Sequence, residues 1–527
     1  MSFLKSLESD LLLKWISKEI GLMQAGDLDR LGQENVVKAI FGNSLLKSRS
    51  RFVDFILQCD QGKFDLLCQR VKVNQGQRKK LDIAIEIASK PFTEKSLLAR
   101  SAREIFLIDD CFMPVRESSF EVESLIEPVS LVPPAYDYQL EMIGKIRSFL
   151  VGYDSSVLMQ LPTGSGKTRV ALQSIAEHFW SRDTEKNSFV WLAHTQELCQ
   201  QAYETFKRIW VASGNEPVKA YCLWGGRKAV ISNSQPSAIF STFGTFCAMY
   251  ERGEFYEVTS RLHCIFIDEA HRASSRVFGG VVKQLKTQVK IIGLTATPGR
   301  HADLDVDNLE LKQLFDSNLI TSTILGSDPI KNLQERGILG VPKIEFIVAS
   351  DAEIFVSNTG DVSAGTLEVL SQDDDRNQVI VRELSKLVIS GHKILVFSCS
   401  VDHSKLLVAN LAARGILSAY VDSDMSSSRR MGVIDSFSRG ENMVLVNYGI
   451  LSTGFDVPDI SAVVITRPTS SIVLYSQMLG RGMRGPSAGG SEDFFVLDIR
   501  DNIDSFGKVN EVYGYFDSLW QSRGEHG

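Results

Sequence analysis

No two of the eight cysteines stand two to four residues apart, so the chain has no paired-cysteine zinc knuckle, whose ligands require that spacing. The cysteines read as reduced, mostly buried thiols. A stretch of about 18 uncharged apolar residues, the least a membrane-crossing helix needs, is also missing. Lys5, Glu8 and Asp10 break up the apolar residues where a signal-peptide core would tolerate no charge. These absences predict a reduced, cytoplasmic chain with no membrane contact. Basic excess is lacking as well: 57 Lys and Arg face 64 Asp and Glu, a net charge of −7. Any polyanion must therefore be held by local clusters and backbone amides, not by overall attraction. Internal repeats, low-complexity tracts and a histidine-rich nuclease pattern are absent too. Asp82, Glu86 and Lys90, spaced at four, read as a salt-bridged helix face and not as a carboxylate metal site.

What is present is enough chain for three or four domains of roughly 150 residues, with an ordinary 44% hydrophobic and 23% charged content over 527 residues. Through residues 1–126 apolar positions recur at three and four, as in Leu11, Leu12, Trp15, Ile16 and Ile20, or Phe52, Phe55, Ile56 and Cys59. That period predicts an all-helical domain, with one helix capped by Thr93 before Glu94. The basic run Arg78, Lys79, Lys80 reads as a solvated helix start. A proline-stiffened linker begins at Glu127 and ends at Pro134.

Beyond the linker, short aliphatic runs alternate with helical patterns, which predicts α/β units with parallel sheets covered on both faces. Ser156 to Met159, Phe189 to Ala193, Ala238 to Ser241, Cys264 to Ile267 and Lys290 to Leu294 are the strands of a first unit, residues 127–325. Lys393 to Phe397, Ser418 to Val421, Asn442 to Val446, Ala462 to Thr466 and Asp493 to Leu497 are those of a second, residues 326–505, leaving a short tail at 506–527.

After the first of these runs comes Leu161, Pro162, Thr163, Gly164, Ser165, Gly166, Lys167, Thr168. Glycines there let backbone N–H groups close around β- and γ-phosphates. Lys167 neutralises phosphate charge, Thr168 ligates Mg²⁺, and the following helix points its positive end at the anion. Leu161 departs from the general pattern, which has glycine at that position. The apolar run Cys264 to Ile267 then ends in Asp268, Glu269, Ala270, His271. Two acids at the carboxyl end of a buried strand suit a cation site, with Asp268 holding Mg²⁺ and Glu269 orienting and deprotonating a water.

The order of these segments resembles the superfamily 2 helicases and translocases, with two RecA-like domains in tandem behind a helical N-terminal domain, over roughly residues 130 to 505 by the motifs that follow. Tyr138 and Gln139 resemble the adenine-reading segment, and Tyr136 stands where relatives often have arginine. His194, Thr195, Gln196 and Glu197 resemble a strand-contacting motif, Ser241 and Thr242 another, and Thr295, Ala296, Thr297, Pro298 the segment coupling hydrolysis to nucleic-acid grip. Val396, Phe397, Ser398, Arg430 and Phe437 resemble further segments of the second unit. Thr453, Gly454, Phe455, Asp456, Val457, Pro458 look like a fifth motif, in which Gly454 and Asp456 would face the nucleotide. Gln477, Gly480, Arg481 and Arg484 fit Gln-x-x-Gly-Arg-x-x-Arg, whose arginines reach across the cleft to the γ-phosphate.

The resemblance implies ATP and Mg²⁺ as cofactors and Thr195, Gln196, Thr242, Thr295, Thr297 and Thr453 as backbone-tracking contacts. The forms Thr-Ala-Thr-Pro-Gly and Gly-Arg-Gly-Met-Arg look like the RadD-like, XPB-like and type I restriction motor branch, which favours DNA over RNA and a setting in repair or phage defence. An alternative reading is a nucleic-acid-sensing ATPase switch that recruits a protein partner through residues 1–126 without unwinding.

Overall fold

The computed structural model describes residues 3–20, 28–114, 123–126, 134–180, 187–214, 217–225, 229–231, 236–254, 261–272, 276–299, 306–349, 355, 361–451, 457 and 459–500. The three- and four-residue apolar spacing at the start becomes α1 (Ser9–Ile20), α2 (Arg30–Phe41), α3 (Arg49–Gln58), α4 (Gln61–Arg70), α5 (Lys80–Ser89) and α6 (Leu97–Phe106). Their buried faces meet in an aromatic core. Phe3 packs on Phe55 and Phe112 with ring centroids 5.2 and 5.7 Å apart, and Phe55 on Phe106 at 4.8 Å. Ser96, not Thr93, caps α6: its hydroxyl accepts the Ala99 and Thr93 N–H groups, both at 3.1 Å, so the helix begins at Leu97. The basic run is absorbed locally, Arg78 by Glu86 at 2.6 Å and Lys80 by the Cys59 carbonyl at 2.8 Å.

The expected all-helical span does not extend to 126. Residues 123–126 form β1 (Glu123–Ile126), which pairs antiparallel with β4 (Val218–Leu223) at the edge of the first sheet. That sheet also contains β2 (Ser156–Gln160), β3 (Ser188–Ala193), β5 (Ser237–Thr242), β6 (Leu262–Asp268), β7 (Lys290–Thr295) and β8 (Leu319–Ile320), in the order β1-β4-β5-β3-β6-β7-β2-β8. Apart from β1 its pairings are parallel. The central strands are buried residue after residue, which is why they read as unbroken apolar runs without alternation. Helices α7 (Asp137–Val151), α8 (Lys167–Trp180), α9 (Gln196–Ser213), α10 (Phe243–Glu251), α11 (Arg276–Leu285) and α12 (Val306–Leu314) complete this unit.

Chain then runs through α13 (Pro329–Glu335) to β9 (Val341–Val348). Glu141 on α7 anchors the start of this connection by accepting from Ser322 Oγ at 2.5 Å and from Thr323 N and Oγ1 at 2.9 and 2.6 Å. Burial opposes the charge of Glu141, yet Lys145, Ser322 and Thr323 hold the carboxyl far below the usual range. The second sheet is wholly parallel, in the order β11-β12-β10-β13-β14-β9. Its other strands are β10 (Ile394–Phe397), β11 (Ser418–Val421), β12 (Val444–Asn447), β13 (Ala462–Ile465) and β14 (Asp493–Arg500). Its helices are α14 (Ala364–Ser371), α15 (Asp374–Ile389), α16 (Val401–Ala413), α17 (Ser427–Ser438) and α18 (Ile472–Leu479).

The helical bundle docks on this second unit. Arg429 on α17 donates to Ser44 Oγ and the Ile40 carbonyl, both at 2.9 Å, and Lys405 on α16 meets Glu19 at 3.3 Å.

Buried in α16, His403 accepts the Cys399 N–H at Nδ1 (3.1 Å) and donates from Nε2 to Asn377 Oδ1 at 2.9 Å. Both nitrogens are spoken for by a neutral ring. Burial, reinforced by Arg376, pulls its pKa from 6.5 down to about 3. The unfolded chain takes up a proton below 6.5 that the folded chain refuses, so this contribution is intact above 6.5 and is lost as pH falls. Lowering the pH from 7 to 5 should cost the second unit about 2 kcal/mol. Urea unfolding at the two pH values tests this, since His403→Gln should flatten the difference.

Candidate active site in the cleft between the sheets

Four parallel strands, β2, β3, β6 and β7, present their carboxyl ends on one edge, where ligands collect in open α/β sheets. The loop after β2 turns at Gly164 and Gly166, whose φ values of +81° and +89° suit glycine alone. Leu161 is completely buried and its N–H bonds to the Thr295 carbonyl at 3.2 Å. The residue that departs from the glycine pattern thus fills core and leaves the loop's curvature untouched. The Ser165 carbonyl accepts from the Tyr138 hydroxyl at 2.7 Å and from Gln139 Nε2 at 3.0 Å, so the loop is braced from behind by α7. Lys167 lies on the loop, its Nζ at 3.3 and 3.4 Å from the Leu161 and Pro162 carbonyls. Burial pulls the Lys167 ammonium below its ordinary pKa; Glu269 and Asp268 oppose that and Arg481 adds to it.

At the end of β6, Asp268 and Glu269 are buried, and Asp268 Oδ1 accepts the Glu269 N–H at 3.0 Å. Glu269 has φ +49°, a left-handed backbone that is unfavourable for a side chain of its size. Burial and the neighbouring Glu269 push the Asp268 carboxyl up, against the pull of Lys167. Two desolvated acids beside one ammonium make a donor set that a divalent cation would relieve, so Asp268, with Thr168 lining the same cavity, fits Mg²⁺.

His271, from the same box, links the sheets. Thr295 Oγ1 donates to the Thr297 carbonyl at 2.7 Å, so it accepts from His271 Nδ1 at 3.2 Å, and that nitrogen also faces Glu269 Oε2 at 3.4 Å. With its proton on Nδ1, His271 accepts at Nε2 from Gln477 Nε2, 3.3 Å away on α18. A continuous polar chain therefore runs from the second sheet to the carboxylate pair. Arg481, one turn beyond Gln477, keeps Nε 3.3 Å from the Gln477 carbonyl. Arg481 and Arg484 line the same cavity as the phosphate loop, Asp268 and Glu269, a space of about 510 Å³.

Gly480 permits this approach. A Cβ there would stand 2.5 Å from Thr163 Cγ2 and 2.9 Å from Thr163 Cβ. Gly480→Val should hold the second unit off the phosphate loop and lower kcat for nucleotide hydrolysis by about 10²-fold, since a shift of roughly 1 Å costs that much. Nucleotide affinity should stay within a few-fold of the parent. Comparable turnover in the variant would refute this reading of the contact.

Thr242, which ends β5 opposite Ala193, and Thr195, two residues beyond the end of β3, are partly exposed, as is Gln196. Thr195 caps α9, accepting the Leu198 N–H at 3.3 Å. Thr295 and Thr297, expected on the same polymer-tracking face, are buried, and the Thr295 hydroxyl meets His271 and accepts the Thr297 N–H. Thr453, Gly454 and Asp456 lie outside the described residues. Gln139, expected to read a base, is buried with its amide committed to the loop and to the Tyr136 N–H. Sequence reasoning placed Glu197 and Arg430 in separate motifs but missed their pairing across the cleft at 2.6 Å. It also missed Gln201, Thr205 and Arg208 of α9, which line the cavity; their spacing of four and three is that of any helix face.

Residues 133–300 match the family "Type III restriction enzyme, res subunit", and residues 375–485 match "Helicase conserved C-terminal domain". "Putative ATP-dependent helicase IRC3" of Saccharomyces cerevisiae is 27% identical over 389 residues, 71% of this chain and 53% of that protein. The chain thus matches about half the length of that relative. "ATP-dependent rRNA helicase RRP3" of Meyerozyma guilliermondii is 23% identical over 378 residues, 71% of this chain and 70% of that one. A solved structure of Mss116p bound to ssRNA and AMP-PNP has a similar fold, with a TM-score of 0.50 and 17% identity over 70% of each chain.

Proposed function

This chain belongs to the superfamily 2 helicases, its two matched families lying in order over its two sheets, and from that membership we propose an ATP-driven motor that moves on DNA. The observation that carries the proposal is the polar chain Gln477–His271–Thr295 across a cleft that also holds Lys167 and Arg481. Backbone amides of Thr163 to Thr168 and the Lys167 ammonium hold the β- and γ-phosphates of ATP. Glu269 orients the attacking water and takes its proton. Asp268 and Thr168 would hold Mg²⁺, which neutralises phosphate charge when bound. Arg481 and Arg484 come from the other unit, so hydrolysis requires a closed cleft, and the ion pair Arg430–Glu197 favours closure. Opening after hydrolysis then shifts the two polymer-contacting surfaces relative to each other.

The match to a restriction-enzyme family supports DNA as the track and fits a setting in phage defence or DNA repair. Thr195, Gln196 and Thr242 would grip the sugar-phosphate backbone without reading bases. Steady-state ATP hydrolysis with single-stranded DNA, double-stranded DNA, single-stranded RNA or no polymer, at one salt concentration, tests the proposal. Stimulation by DNA is expected. Stimulation by RNA alone would overturn the choice of track, and no hydrolysis under any condition would overturn the motor.

A second reading, a switch that recruits a protein partner, is favoured by the docking of the helical bundle on α16 and α17. Removing residues 1–114, which leaves β1 in its sheet, should spare stimulated hydrolysis in either case and abolish partner capture only for the switch.

A further inference from the structure

Between β13 and α18, residues 466–471 launch the helix that carries Gln477 and leads to Gly480 and Arg481. The start of this loop is tied to the sheet: the Thr466 hydroxyl donates to the Phe397 carbonyl at 2.9 Å, and the Thr466 carbonyl accepts from Arg376 and from the Cys399 thiol at 3.1 Å. Further along, one carboxylate gathers three donors. Asp361 Oδ1 accepts from the Thr469 hydroxyl at 2.8 Å and from the Ser470 N–H at 3.0 Å, while Oδ2 accepts from Arg467 Nη2 at 3.1 Å. The Thr469 hydroxyl in turn accepts the Ser471 N–H at 3.0 Å, and Ser471 caps α18 by accepting the Leu474 N–H at 3.3 Å.

The segment that delivers this carboxylate is itself held firmly. Val362, next in the chain, is buried against Leu367, Leu370 and Cys399, and Ser363 caps α14 by accepting the Thr366 N–H at 3.2 Å. The middle of α18 has its own tie, the Tyr475 hydroxyl donating to Asp498 Oδ2 at 3.1 Å. A second anchor at the start of the helix therefore sets the tilt of its axis. The eight residues of α18 span about 12 Å, so a tilt of about 5° shifts the far end relative to the start by about 1 Å. That end is where Gly480 meets Thr163 and Arg481 enters the cleft.

We propose that Asp361 is a positioning residue for ATP hydrolysis: through Arg467, Thr469 and Ser470 it sets the direction of α18 and thereby aims Arg481 at the γ-phosphate. Asp361 is not among the residues that line the cleft, so its effect reaches the nucleotide through the helix. The role rests on Arg481 acting as the proposed finger.

Single-turnover ATP hydrolysis and equilibrium ATP binding by the full chain, run as a double-mutant cycle between Asp361→Ala and Arg481→Ala, test it. Asp361→Ala should slow hydrolysis by about 10- to 10²-fold and leave ATP affinity within about threefold of the parent. Asp361→Asn keeps an acceptor for Thr469 and Ser470 and should return the rate to within about fivefold of the parent, the worth of one ordinary hydrogen bond. In an Arg481→Ala background the loss caused by Asp361→Ala should shrink below about threefold, because a finger that is absent cannot be misaimed. A general loosening of the second unit would instead slow both backgrounds by the same factor. That result overturns the proposal, as does a parental rate in Asp361→Ala or a defect confined to ATP affinity. Should Asp361→Ala not fold, Thr469→Val removes one of the three donors and carries the same cycle, with equal slowing in both backgrounds again the overturning result. If Arg481→Ala alone hydrolyses ATP at the parental rate, the finger itself falls, and that single variant separates the two failures.

Discussion

Glu269→Gln should lower the rate of ATP hydrolysis by about 10²- to 10⁴-fold, the usual contribution of a positioned general base, while ATP stays bound. The amide preserves the shape of the side chain and can still accept from His271 Nδ1, which lies 3.4 Å from Oε2. What it removes is the charge proposed to take a proton from water. It also removes the negative neighbour that helps to push the Asp268 carboxyl up, so the cleft becomes less repulsive toward a triphosphate. Single-turnover hydrolysis beside equilibrium ATP binding measures both effects. Hydrolysis within a few-fold of the parent would eliminate Glu269 as the base. Lys167→Ala is the contrasting variant, expected to lose binding and turnover together because its ammonium lies on the phosphate loop and bears electrostatically on both carboxylates.

Arg481→Ala should leave ATP affinity nearly intact and slow hydrolysis by about 10³-fold or more, the lower end of what an arginine finger supplies. The reason is positional. Arg481 arrives from the second unit, is steered by the Gln477 carbonyl at 3.3 Å, and bears electrostatically on both Lys167 and Asp268 in the first. Charge on the transferring phosphoryl group grows in the transition state, so a guanidinium that meets it there acts on kcat and little on binding. Arg481→Lys should recover only a small part of the loss, because an ammonium lacks the planar fork. An alanine variant whose defect lies wholly in ATP affinity would reduce Arg481 to a binding residue.

Much of this site was legible because its chemistry is written in contiguous residues. Glycines that must turn with positive φ, a lysine and a threonine fall within one loop, and the acids follow a strand whose apolar run is unmistakable. Elsewhere the local signal was insufficient. Residues 123–126 are too few to show a period, and their antiparallel partner β4 lies far along the chain. Thr93 and Ser96 both suit a cap, and only the hydrogen bonds to Ser96 choose between them. Thr295 and Thr297 carry hydroxyls that would serve a polymer contact equally well, yet both residues are buried and the Thr295 hydroxyl is engaged by the Thr297 carbonyl and the ring of His271.

By itself the sequence determined the alternation of strand and helix, the phosphate loop, the carboxylate pair and the arginine motif, since each depends on spacing within a few residues of backbone geometry. Tertiary structure alone decided that Leu161 is core, that Gly480 is the point where the second unit meets Thr163, that Gln139 braces the loop, and that α9 lines the far end of the cavity. Those outcomes depend on which surfaces are brought within a few ångströms by sheet packing and cleft closure, and no window of sequence contains both partners.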